Sequence, residues 1–226
     1  ASEQYIGASI NYRLSGDAKW PSQIHDCKAA IRWIRAHAEK YHIDADRIGV
    51  WGESAGGHLV AMLGTSNGVS SMDGSLGSHT DVSSTVACVV DFFGPTDFLQ
   101  MDKAALRGSD IIHDSASSPE SKLIGGSIQD NPDKVATANP ITYTSSDAPP
   151  FLIVHGNQDP LVSFNQSELL HQALKKTGVS SKLITVDGGG HGFSSREVDE
   201  LVSQFFDHHL RGKKTNWANQ TVLSSF

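Results

Sequence analysis

Apolar residues recur along the chain with two different periods, and the alternation between those periods lays out its elements. Residues 5–14 (YIGASINYRL) read as a strand running into a turn at Ser15-Gly16-Asp17. Pro21 then opens a helix in which Ile24, Cys27, Ile31, Ile34, Ala38 and Tyr41 return at steps of three and four, one apolar face of a 3.6-residue repeat. Residues 47–52 form a short second strand, and a helix carrying Leu59, Val60, Met62 and Leu63 follows from Ala55. Serine and glycine crowd residues 66–84, the composition of a loop. Residues 85–93 are almost continuously apolar, which suits a strand covered on both faces, as in parallel sheet. Strands at 151–155 and 182–186 flank a helix at 164–177 that Gly178 stops. The last helix opens on Ser194-Ser195-Arg196-Glu197, a capping-box pattern, and carries Val198, Leu201, Val202, Phe205, Phe206 and Leu210 before Gly212 ends it.

Strands that alternate with helices predict an α/β domain: a mostly parallel sheet with helices on both faces, spanning residues 1–226. Residues 95–150 break the rhythm, being polar, weakly periodic and interrupted by prolines and glycines. They read as a cap-like insertion after the strand that ends near Phe93, with room for short helices. The tail beyond Gly212 reads as a loosely packed terminus.

Composition narrows the functional classes. Of 226 residues, 38% are hydrophobic and 19% charged, which is globular and not disordered. The longest apolar runs, such as 86–90 and 151–154, fall far short of the roughly 20 residues that span a bilayer. The first residues show no basic stretch followed by an apolar block, so no signal peptide is expected; secreted and cytoplasmic locations both fit. A net charge of −7 without a lysine- or arginine-rich tract argues against nucleic-acid binding. The two cysteines, Cys27 and Cys88, are too few for a disulfide framework or metal cluster; buried free thiols and a single bridge are both open.

The chemistry-bearing motif is Gly52-Glu53-Ser54-Ala55-Gly56, followed by Gly57, a match to G-x-S-x-G. A strand ends at it and a helix starts at it, the setting of a nucleophile elbow. Side chains at positions 52 and 56 are expected to clash with the sharp turn. The turn lifts the Ser54 hydroxyl above the sheet, and the Ala55 N–H at the helix start can donate to a developing oxyanion. A serine hydroxyl needs a base to become a nucleophile. His191 fits, on a loop after a strand, between Gly188-Gly189-Gly190 and Gly192-Phe193. The acid between them is Asp159, four residues beyond the strand that ends at His155; Asp187 and Asp147 are its rivals. All three candidates lie on loops at the carboxyl ends of parallel strands, which open on one rim.

These residues resemble the hormone-sensitive-lipase-like branch of the α/β-hydrolases, which includes bacterial carboxylesterases and feruloyl-esterase-like members. The resemblance runs through Asn11-Tyr12-Arg13-Leu14, Asp44-Ala45-Asp46-Arg47-Ile48, GESAGGHL (52–59), Phe93-Gly94-Pro95-Thr96-Asp97, PPFLIVHGNQDPLV (149–162) and GGGHGF (188–193). It implies an ester hydrolase acting on small or medium acyl esters without cofactor or metal, with Ser54 as nucleophile, Asp159 as acid and His191 as base. The family's HGGG-type loop, source of its further oxyanion donors, has no counterpart before Ser54. Losing one such donor costs about 10²- to 10³-fold in kcat. A truncated chain, a short protein with donors from elsewhere, and a weakly active relative are all compatible with that gap. A sheet without its first strands exposes an edge, so a homo-oligomer is expected.

The same residues have plainer readings. His58, on the helix after Ser54, suits packing or hydrogen bonding better than catalysis, and His155 reads as a buried, satisfied strand residue. Glu53, beside the nucleophile, suits an arginine pair or a pocket wall; Phe93, Phe98, Leu99 and Met101 are the other candidate lining residues. Adjacent His208 and His209 point about 100° apart on a helix, which does not make a metal site. A prolyl-oligopeptidase-like peptidase or amidase shares the Ser–Asp–His order, and a non-catalytic hydrolase-fold relative remains a third reading.

Overall fold

The computed structural model describes residues 5–109, 111–214 and the backbone of 220–223. Strands β1 (Gly49–Glu53), β2 (Cys88–Phe92), β3 (Phe151–Gly156), β4 (Ser181–Asp187) and β5 (Gln220–Leu223) form one sheet in sequential order, every adjacent pair parallel. The central strands β2 and β3 are buried along their whole length, as their continuous apolar runs require. Alternate residues feed two cores. Val89, Phe151 and Ile153 face a cluster built with α1 (Ser22–Ala36), α2 (Ala55–Thr65) and α6 (Asn165–Lys176). Cys88, Val90, Leu152 and Val154 face Val198, Phe205 and Leu210 of α7 (Arg196–Arg211). Both cysteines are free and buried.

The helix starting after Pro21 buries Ile24, Cys27 and Ile31 but ends at Ala36; Ala38 is buried in the turn beyond it and Tyr41 is exposed. The same helix sends Lys28 wholly inside, where its Nζ donates to Ser66 O (2.6 Å) and to Asp73 Oδ1 (2.7 Å). Those partners come from residues 66–84, which hold a short helix, α3 (Ser70–Asp73), where only loop was expected. Residues 98–143 contain helices α4 (Pro119–Ile124) and α5 (Pro132–Thr137) and several 3₁₀ turns, packed around Phe98, Met101, Ile124, Ile128, Val135 and Ala138.

Three further expectations about the elements fail. Residues 5–14 are not a strand: they pair with no ladder among the described residues and are held by side chains instead. Tyr5 donates its hydroxyl to Asp207 (2.7 Å), and Arg13 clamps Asp26 through its backbone and its guanidinium. An alternating pattern reports which faces are covered, but a strand also needs a neighbour to take its N–H and C=O groups. The tail beyond Gly212 is not loose throughout, since β5 pairs with β4; the rest of 215–226 lies outside the described residues. The capping box at α7 does not form: Ser195 is the N-cap and accepts from Val198 N, which places Glu197 one position too early to reach back. Gly212 stops α7 in the left-handed region, as expected.

Candidate active site

The carboxyl ends of β1 through β4 form one rim, and each delivers a residue to it. Ser54 follows β1 directly, with φ 53° and ψ −119°, a conformation strained for a residue with a side chain. Close approach makes the turn possible. A Cβ at Gly52 would run into the backbone of Gly56, and one at Gly57 into Asp91 and the Phe92 carbonyl. Position 56, expected to be crowded, is open, so the sterically required glycines are 52 and 57. The turn is pinned to β2 by Ser54 N–H donating to Phe92 O (2.9 Å). Helix α2 starts at Ala55, whose first-turn N–H has no intrahelical acceptor and faces the rim with the positive end of the helix.

Two loops carry the partners. Gly156 ends β3 where any side chain would strike Gly189. That approach lets Gln158 N–H donate to Gly189 O (2.9 Å), while Asn157 donates to Asp187 (2.8 Å) and accepts from Gly188 N–H (2.8 Å). The loops after β3 and β4 are thereby stapled together, and Asp159 and His191 meet. His191 Nδ1 lies 2.8 Å from Asp159 Oδ2, and His191 Nε2 lies 3.0 Å from Ser54 Oγ. Because Nδ1 faces a carboxylate it carries the proton, which leaves Nε2 to accept from the Ser54 hydroxyl. The rival acids are elsewhere: Asp187 is taken by Asn157, and Asp147 is exposed.

Asp159 is 1% exposed. Burial pushes its pKa up, but donors from His155, His191, Val162 N–H and Leu161 N–H outweigh that and hold the carboxyl well below the usual range. It therefore stays ionised beside the imidazole. Asp91, beneath the elbow, is the opposite case. Burial raises it to about 7 against a single hydrogen bond from Gly94 N–H (3.0 Å), and its Oδ2 has no hydrogen-bond partner among the described residues. His58 is pulled down to about 4, by burial first, against weaker raising effects from its bond to Pro95 O and from Glu120. Its Nδ1 lies 3.0 Å from Pro95 O and so carries the proton, while Nε2 is buried with no hydrogen-bond partner among the described residues. His58 is thus buried and hydrogen-bonded, in line with the packing or hydrogen-bonding reading of its position.

A cleft of about 270 Å³ opens beside Ala55, lined by Tyr12, Leu14, His58, Leu59, Pro95 and Phe98 among others. Of the expected lining residues only Phe98 borders it. Met101 and Leu99 pack into the cluster of residues 98–143, because the 3₁₀ turn there rolls them inward. Phe93, at φ 41°, is 5% exposed and lays its ring 4.7 Å from that of His191, backing the imidazole. Glu53 is exposed, with no arginine pair among the described residues, since the elbow turns it outward from an edge strand. Sequence reasoning missed Tyr12 and Leu14, read as strand, and Gln166. Gln166 is fully buried on α6, and its Oε1 accepts from Thr96 N–H (2.9 Å) and Asp97 N–H (2.7 Å), fixing the loop after β2. Glutamine inside a helical pattern gives no signal for that. Among the described residues no group of histidine, cysteine and carboxylate side chains could hold a metal ion.

The sequence model of the BD-FAE family matches residues 1–174, and that of a TAP-like protein family matches residues 130–220. Esterase LipQ of Mycobacterium tuberculosis is 32% identical over 210 residues, covering 89% of this chain and 47% of its own length. Esterase LipC of the same organism is 31% identical, covering 85% and 46%. The chain thus spans about half the length of the curated relatives it matches. Among solved structures, a truncated form of a carbohydrate esterase from gut microbiota superposes with a TM-score of 0.82 at 38% identity, covering 90% of this chain and 73% of that one. A bifunctional GH43-CE protein of Bacteroides eggerthii gives 0.83 at 40% identity, over 89% of this chain and 27% of its own.

Proposed function

This chain belongs to the BD-FAE family of α/β-hydrolases, and from that premise we propose that it is a serine carboxylic-ester hydrolase working through an acyl-enzyme. Ser54 Oγ attacks the ester carbonyl carbon while its proton passes to His191 Nε2. The oxyanion of the tetrahedral intermediate is met by Ala55 N–H at the start of α2. Collapse breaks the C–O bond, and the leaving alcohol takes the proton back from His191. Water then repeats the sequence and frees the acid and Ser54. Asp159 keeps the proton on Nδ1 of His191 and stabilises the imidazolium that forms between steps.

The observation that supports this best is the line from Ser54 Oγ to His191 (3.0 Å) to Asp159 (2.8 Å), drawn from three loops of one rim. The cleft beside Ala55 suits a small or medium acyl or alcohol group, and a structural relative named as a carbohydrate esterase makes acylated sugars sensible substrates to test. Expected results are hydrolysis of p-nitrophenyl acetate, no turnover of an aminoacyl-anilide, and fluorophosphonate labelling that disappears in Ser54→Ala. A folded protein that neither labels nor hydrolyses any ester would end this reading, and preferential anilide turnover would point to a peptidase. No described helix is long and apolar enough to cross a membrane. Strand β1 pairs on one side only among the described residues, and Trp51 stands on it 57% exposed, which supports self-association through that edge.

A further inference from the structure

Asp159 Oδ2 has a second imidazole on it. His155, at the end of β3 and 0% exposed, places Nε2 3.2 Å from that oxygen and 2.9 Å from the carbonyl of Val162. Both neighbours are acceptors, so Nε2 must carry the proton and share it between them. Nδ1 is then a lone pair, and it accepts from the buried hydroxyl of Ser167 on α6 at 2.7 Å. The other carboxylate oxygen is closed by Leu161 N–H (2.8 Å) and Val162 N–H (2.9 Å). Each carboxylate oxygen of Asp159 is therefore met by two donors. The other neighbours of His155 among the described residues are uncharged: the Phe93 ring at 6.2 Å, the Phe164 ring at 5.6 Å, and Thr185 beside it on β4. Among the described residues Asp159 is the charged group hydrogen-bonded to His155, with His191 on the other side of the carboxylate.

We infer that His155 is a positioning residue for the Ser54–His191–Asp159 line, acting through a relay in which Ser167 fixes the tautomer of His155 and His155 fixes the rotamer and shares the charge of Asp159. The inference rests on the esterase reading above. Two consequences are separable. Geometrically, His155 holds Oδ2 where His191 Nδ1–H can reach it, so its loss weakens the orientation of the base in the transition state more than substrate binding. Electrostatically, a neutral donor on Oδ2 draws off part of the negative charge that His191 sees. Without it the carboxylate holds an imidazolium at position 191 more tightly, and the acid limb of the kcat/KM profile moves to higher pH. A carboxylate merely set loose would move that limb lower or not at all.

The test is steady-state hydrolysis of p-nitrophenyl acetate across pH by the parent, His155→Leu, His155→Gln and Ser167→Ala, each checked for folding by circular dichroism and for active sites by fluorophosphonate titration. His155→Leu is expected to lose about 10- to 100-fold in kcat, the range seen when the outer partner of an oriented ligand is removed, with KM little changed and the acid limb displaced upward. His155→Gln, whose amide can still donate to both acceptors, restores most of kcat and returns the limb toward the parent's. Ser167→Ala gives a smaller loss of the same kind, and it decides the matter if the leucine variant does not fold. Parental kcat and pH profile in a folded His155→Leu or Ser167→Ala would overturn the inference, as would equal losses in the leucine and glutamine variants with an unmoved limb. A parent that neither labels nor hydrolyses the ester removes the esterase reading and this one together.

Discussion

The Nδ1 atom of His191 stands 2.8 Å from Oδ2 of Asp159, across 32 positions of sequence. That single contact decides which ring nitrogen bears the proton and therefore whether the other can receive one from Ser54. Asp159→Asn keeps the shape but removes the charge, and its amide can present a donor where an acceptor is needed. The imidazole is then driven toward the wrong tautomer. A fall in kcat of about 10⁴-fold is expected, with KM within a few-fold of the parent. Ester hydrolysis at saturating substrate checks it; a loss under about tenfold would mean that Asp159 does not orient the base.

Much of this arrangement was legible in the sequence, for a physical reason. A nucleophile elbow is a local motif, with the strand, the glycines and the helix start all inside 48–63, and the two glycine-rich loops sit at the ends of strands with strong apolar runs. What sequence could not give was pairing and direction. Among the described residues the 5–14 segment has a strand's pattern without a strand's neighbour, and β5 has a neighbour without a conspicuous pattern. Met101 and Phe93 are apolar residues near the site, yet one turns into a core and the other backs His191, and apolarity alone does not distinguish these from a pocket wall. His155 read as merely satisfied; only its neighbours in space show that what satisfies it is the candidate acid.

The glycines of the elbow are not equivalent, and alanine substitution should separate them. At position 52 the new methyl meets the backbone of Gly56, which cannot move without undoing the turn. Gly52→Ala is expected to lose about 3 kcal/mol or more of stability, as over-packed backbone contacts do. Position 56 has nothing within 4 Å of the added carbon and lies inside α2. Gly56→Ala should therefore be neutral or stabilising by up to about 1 kcal/mol. Urea denaturation of the two variants reads the contrast; equal destabilisation would refute the steric assignment.

Burial raises the thiols of Cys27 and Cys88 to about 12. Thiolate, not thiol, reacts with disulfide reagents. Native protein at neutral pH is expected to resist DTNB, with both thiols titrating only in denaturant. Rapid reaction of either thiol in the folded state would show that its covering is open.

The proposed self-association of this chain uses the β1 edge, which pairs on one side only among the described residues and carries an exposed tryptophan. A lysine on an edge strand opposes pairing with a second copy, because docking would bury its charge. Trp51→Lys is therefore expected to lower the mass seen by light scattering at a fixed protein concentration. A parent protein that runs as a clean monomer would rule out the edge contact.

Asp91 makes stability depend on pH in a direction opposite to most carboxylates. Its pKa in the folded protein is raised by burial to about 7, whereas an unfolded aspartate titrates near 3.8. Between those two values the unfolded chain has released its proton while the folded protein still holds it, so each step up in pH favours unfolding. The contribution is fully present below the lower value and is lost as pH rises through the upper one. Asparagine reproduces the protonated acid: its carbonyl accepts from Gly94 N–H as Oδ1 does, and its amino group replaces a hydroxyl at Oδ2. Asp91→Asn is expected to remove this slope, which has a ceiling of about 1.4 kcal/mol per pH unit, and to leave the variant the more stable partner at neutral pH. Urea titrations of both proteins at several pH values across the window measure it. Parallel stability–pH curves would mean that the folded protein ionises Asp91 as readily as the unfolded chain does, and the burial argument for this residue would fall.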